Sequence, residues 1–119
     1  MEGLFNYKVS KVCSIYDGDT MTVDLDLGFN MVMKNKTLRL YGINTPEVRG
    51  PEKEEGKKVR DYVRELVKAA EAVFITSHYD KAGKYGRILA TVILLDKDGI
   101  ATDLNQHLLD MDMAKEYMR

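Results

Sequence analysis

The chain has 119 residues, 45% of them hydrophobic and 31% charged, the balance of one globular domain rather than of a disordered tail. Eighteen Lys and Arg against nineteen Asp and Glu give a formal charge of −1, which excludes a polybasic, histone-like binder but leaves room for a local basic cleft. One cysteine, Cys13, excludes an internal disulfide and a zinc site built on several thiolates.

The most apolar stretch, Ile88 to Leu95, has eight residues, far short of the ~20 needed to span a bilayer, so no membrane partner is expected. The opening Met1-Glu2-Gly3-Leu4-Phe5-Asn6 carries neither the basic nor the apolar region of a secretory signal. A complete chain of this sequence is expected in the cytoplasm; one trimmed of a leader would be secreted.

The first third reads as strand. Tyr7 to Tyr16 carries Val9, Val12 and Ile15 and leads into an Asp17-Gly18-Asp19 turn. Met21, Val23, Leu25 and Leu27 then alternate with polar residues, the period of two of a half-buried strand. Met31 to Ile43 reads as one long strand interrupted near Lys34-Asn35-Lys36, with Thr37, Arg39 and Tyr41 on one face and Leu38 and Leu40 on the other.

From Pro51 the period changes. Val59, Tyr62, Val63, Leu66, Val67 and Ala70 follow helical spacing, while Lys57, Arg60, Asp61, Arg64, Glu65 and Lys68 form a solvated face. Two more strands are predicted at Ala72 to His78 and Arg87 to Leu95, and Asp96-Lys97-Asp98-Gly99 closes a turn. A second helix, capped by Thr102 or Asp103, should bury Leu104, Leu108 and Met111. Three strands, a helix, two strands and a helix is the order of an α+β, five-stranded OB-fold barrel. No repeat, linker or low-complexity tract divides the chain, so residues 1–119 are expected to form a single domain.

Four short motifs carry the chemistry: Asp17-Gly18-Asp19-Thr20, Arg39 within Leu38-Arg39-Leu40, Asn44-Thr45-Pro46-Glu47, and Lys84-Tyr85-Gly86-Arg87. Their order and spacing resemble the staphylococcal nuclease (thermonuclease) family from about Tyr7 to Tyr117. Hydrolysing a phosphodiester needs a cation on a non-bridging oxygen, a base for the water, and donors for the developing charge. The resemblance implies Ca²⁺ held by Asp19, position 44 and the Thr45 backbone carbonyl, with Glu47 orienting or deprotonating the water. It implies Arg39 and Arg87 on the phosphate, where a rigid guanidinium fork suits two oxygens. Lys84 and Tyr85 match positions contacting a neighbouring phosphate, and Tyr117 is the candidate for stacking on a base. The activity implied is Ca²⁺-dependent cleavage of DNA and RNA by a monomer, leaving 3′-phosphates.

Three departures stand beside the resemblance. Position 44 is Asn, where the best-known family members carry Asp, so one ligand charge is missing. The sequence up to Arg119 has no counterpart of the family's third, C-terminal helix. Its net charge of −1 contrasts with the basic secreted enzyme and weakens non-specific steering of DNA. Asn44 favours an alternative, an inactive or catalytically weak OB-fold module that binds single-stranded nucleic acid; a protein-interaction module is more remote. The simplest reading makes Asp17, Gly18 and Pro46 turn residues and Cys13 a small buried hydrophobe. His78 and His107 read as structural or surface groups, and Met111, Met113 and Met118 as filling core gaps or the C-terminal edge.

Overall fold

The computed structural model describes residues 5–78 and 87–117. Its strands are β1 (Phe5–Asp17), β2 (Thr20–Gly28), β3 (Met31–Leu40), β4 (Ile43–Asn44), β5 (Ala72–His78), β6 (Ile88–Leu95), β7 (Ala101–Asp103) and β8 (Lys115–Glu116), with helices α1 (Lys53–Ala69) and α2 (Leu104–Asp110). The antiparallel order β3-β2-β1-β5-β6 closes on itself where Leu38, Arg39 and Leu40 of β3 pair in parallel with Ile88, Leu89 and Ala90 of β6. The result is the closed five-stranded barrel with two helices expected of an OB-fold.

The unusual spacing of Val9, Val12 and Ile15 has a structural cause. The β1–β2 register slips between Val9 and Lys11, Val12 and Ser14, and Ile15 and Asp17, leaving Ser10, Cys13 and Tyr16 as extra residues. Each bulge resets the alternation, so residues three apart face inward, and each sharpens the coil of the strand around the barrel. Cys13 therefore lies exposed on a bulge, its thiol 3.5 Å from Asp24 Oδ1. The expectation of a buried cysteine is corrected by that register slip.

The third strand also differs from expectation. It stops at Leu40, turns through Tyr41 and Gly42, and resumes as β4 paired with β8. Gly42 has φ of 79°, which an L side chain rarely adopts. The irregularity at Lys34-Asn35-Lys36 is a bulge rather than a break. Asn35 adopts φ of 56° and donates its N–H to Asp24 Oδ1.

The barrel interior is filled by Val23, Leu38 and Val92 from the strands, Val63 from α1, and Leu104 and Leu108 from α2, all fully buried. Each is worth about 1.5–3 kcal/mol relative to exposure. Asp103 caps α2 by accepting from Gln106 N–H at 3.0 Å. Met111 lies past the end of that helix and is half exposed, so the expected burial of Met111 does not occur, whereas Met113 packs against the core.

One buried amide ties α2 to the barrel seam. Asn105 accepts from Val92 N–H at 3.0 Å and donates to the carbonyls of Tyr41 and Ala90 at 2.9 and 3.0 Å. Asn105→Ala strands one buried donor and two acceptors, and unmet buried groups cost about 1–3 kcal/mol each. Urea unfolding of this variant should show a loss of roughly 3 kcal/mol; a loss under about 1 kcal/mol would mean the amide holds nothing.

Candidate active site

The tight β1–β2 turn and the end of β3 meet where the barrel closes. Thr20 pairs with Arg39 across the sheet, and Leu40 N–H donates to Asp19 carbonyl at 2.8 Å. Asp19 is nearly buried, and its carboxylate is the hub of the site. Oδ2 accepts from Thr45 N–H at 2.9 Å and lies 3.3 Å from Arg39 Nη1, while Oδ1 accepts from Thr20 hydroxyl at 3.1 Å. A charged acceptor bonded by a backbone amide and a guanidinium offsets much of its own desolvation.

Arg39 also braces the turn that follows it. Nη1 donates to the carbonyls of Leu40 and Ile43 at 3.0 and 2.9 Å, and Nη2 donates to Asn44 Oδ1. Of its five N–H donors, Nε–H and one Nη2 proton bond nothing among the described residues. The guanidinium carbon sits 5.7 Å from the centre of the Tyr117 ring, whose own N–H donates to Gly42 carbonyl. Asp19, Arg39, Asn44, Thr45 and Tyr117 are thus brought together.

Helix α1 sets the position of the loop bearing Thr45 and Glu47. A Cβ on Gly56 would overlap the carbonyl of Glu47, and one on Gly18 would overlap Val59 and Thr45. The two glycines let the helix, the turn and the loop pack backbone to backbone. Glu47 itself is exposed. Arg87 directly precedes Ile88, the partner of Leu38, which puts its backbone at the same seam two residues before Leu89, the partner of Arg39. No described contact joins the Glu47 carboxylate or the Arg87 guanidinium to Asp19. Lys84 and Tyr85 lie outside the described residues, as does Met118.

Asp17 is more than a turn residue. It is nearly buried, and its Oδ1 accepts from Asp19 N–H at 3.2 Å. Burial, followed by hydrogen bonding to and repulsion from the Asp19 carboxylate, pushes its carboxyl up to about 7. The signal in the sequence is the Asp-x-Asp spacing across a two-residue turn, which sets both carboxylates at one strand end.

The donor set suits a hard divalent cation. Asp17, Asp19, Asn44 and Thr45 offer oxygen alone, Thr45 Oγ1 is buried with no hydrogen-bond partner, and two carboxyls crowd each other. Ca²⁺ favours such ligands. Among the described residues no three His, Cys, Asp or Glu side chains converge, so the set is poor in carboxylates, as Asn44 implies. A cleft of about 260 Å³ lined by Asn44, Thr45, Pro46, Glu52, Asp112 and Lys115 opens beside it. The larger cavity, about 440 Å³ between β1 and the end of α1, contains none of the site residues. His107 is structural, its Nε2 2.7 Å from Tyr62 hydroxyl.

A closed five-stranded barrel with a carboxylate–guanidinium pair beside its seam defines an OB-fold protein. Residues 37–119 match the family described as staphylococcal nuclease homologue. The chain is 33% identical over 109 residues to the thermonuclease of Staphylococcus hyicus, a match covering 81% of this chain and 59% of that relative. The chain belongs to the staphylococcal nuclease homologue family.

The raised Asp17 carboxyl gives a prediction with a definite sign. Unfolded, Asp17 releases its proton near 3.8; folded, it holds it to about 7. The stability from this proton is complete below pH 4 and is lost as pH rises to 7. In EDTA, Asp17→Asn should therefore raise the Tm at pH 8 by roughly 5 °C and leave it unchanged at pH 4. A gain that is equal at both pH values would contradict this assignment.

Proposed function

We propose that this protein is a Ca²⁺-dependent phosphodiesterase that cleaves DNA and RNA and leaves 3′-phosphates. Family membership supports a nuclease-type activity. The single observation that carries the finer reading is the all-oxygen set around Asp19, with a crowded second carboxyl and an unpartnered Thr45 hydroxyl beside it.

In this reading Asp19, Asn44 and Thr45 hold the cation, with Asp17 next to them. Bound Ca²⁺ supplies positive charge against a non-bridging phosphate oxygen. Glu47, on the loop set by Gly56, takes a proton from the water that attacks phosphorus. Arg39 offers Nε–H and Nη2–H to the phosphate, and Arg87 approaches from the residue just before β6. Their charge answers the negative charge that builds as the 5′-oxygen departs. Lys84 and Tyr85 would contact a neighbouring phosphate, and Tyr117 a base.

Asn44 favours a second reading, a single-stranded nucleic-acid-binding module without turnover. One experiment separates the two: digestion of single-stranded DNA in Ca²⁺, Mg²⁺ and EGTA by the wild type, Glu47→Gln and Asn44→Asp. The enzyme reading expects cleavage in Ca²⁺, little in Mg²⁺, which demands tighter octahedral geometry, and none in EGTA. Glu47→Gln should lose about 10²–10⁴-fold in rate. Asn44→Asp should restore one ligand charge and lower the calcium needed for half-maximal rate roughly 5–30-fold. Equal rates in all three conditions contradict the cation site. DNA binding without cleavage by any of the three proteins favours the binding module.

A further inference from the structure

Tyr41 lies in the turn after β3 that Arg39 Nη1 bridges through the Leu40 and Ile43 carbonyls, and both its backbone and its ring are held. Its N–H donates to Ala90 carbonyl at 2.8 Å, and its own carbonyl accepts from Asn105 Nδ2 at 2.9 Å. Its ring stacks on His78, centroids 4.0 Å apart and planes within 6°. His78 is in turn pinned, its Nε2 2.8 Å from Thr91 hydroxyl. Tyr41 is nevertheless 39% exposed, so a ring with one face on an imidazole still meets solvent.

We propose that the Tyr41–His78 stack is an aromatic platform for a nucleobase of the strand whose phosphate Arg39 holds. The inference rests on the nuclease reading above and adds to it a base contact separate from Tyr117. An exposed ring normally keeps its rotamer freedom, and ordering it on binding costs affinity. Here that ordering is already complete in the protein. A planar aromatic beside a phosphate-binding guanidinium is the arrangement by which single-stranded nucleic acids are held with little sequence preference, since every base has a π-face. The nearness of Tyr41 to Arg39 in the chain was legible in the sequence, whereas its support by His78 depends on the pairing of β5 with β6, which sets His78 opposite Leu89.

The chain has no tryptophan, so Tyr41→Trp supplies a single indole as reporter. Its fluorescence is followed while a short oligothymidylate, or an oligomer of equal length with abasic sugars, is added in EDTA and, with Glu47→Gln added to suppress cleavage, again in Ca²⁺. The oligothymidylate should quench the indole and the abasic oligomer should not. Tyr41→Leu should bind oligothymidylate about 5- to 100-fold more weakly than the wild type and bind the abasic oligomer equally well. Tyr41→Phe, which keeps the ring, should retain wild-type affinity. Equal quenching by both oligomers, or undiminished affinity in Tyr41→Leu, overturns the platform and leaves the nuclease reading standing. If the wild type binds neither oligomer in either condition, the nuclease reading fails and the platform with it.

Discussion

Asp19 places a carboxylate almost out of water at the one point where the barrel closes. Such a charge is tolerable only if fixed donors surround it. They come from three separate segments: Thr20 on β2, Arg39 on β3, and the Thr45 amide on the loop after β4. The barrel seam and the proposed chemistry therefore share one set of bonds. Moving any of the three segments exposes an unmet charge, which pulls it back.

The neighbouring groups extend the same constraint. Arg39 cannot reach Asp19 without also closing the Tyr41–Gly42 turn, since its Nη1 bonds Leu40 and Ile43 carbonyls. Asn105 holds that turn from the opposite side. Gly18 and Gly56 remove the side chains that would push α1 away from the Thr45–Glu47 loop. Asp17 is the term left out of balance. Burial and the neighbouring Asp19 carboxylate push its carboxyl up to about 7. In the proposed reading, a bound cation would relieve the like-charge repulsion between Asp17 and Asp19 and so link apparent stability to metal concentration.

The barrel was readable because most of its strands obey the simple alternation of residues. Leu38 and Leu40 against Arg39, and Met21, Val23 and Leu25 on β2, point as the pattern predicts. The α2 cap at Asp103 was equally local. What escaped was set by register rather than composition. Cys13 is exposed because a bulge shifts it outward, Met111 because the helix ends one residue earlier, and β3 is cut at Leu40 because Arg39 folds the chain back. The same limit applies to the site. Asp19, Arg39, Asn44 and Thr45 were named through the family resemblance that their motifs carry, but the crowding of Asp17 against Asp19 and the stacking of Tyr41 on His78 require knowing which strands pair.

The proposed cation site lies at Asp19, between the β1–β2 turn and the Thr45 loop. A calcium titration followed by amide nitrogen NMR tests it residue by residue, on the wild type and on Asp19→Asn, whose side chain has the same size. The amide resonances of Asp19, Thr20 and Thr45 should move together with one Kd in the wild type, and stay still in a folded Asp19→Asn. An unchanged Kd in that variant, or shifts centred away from these three residues, would contradict the account.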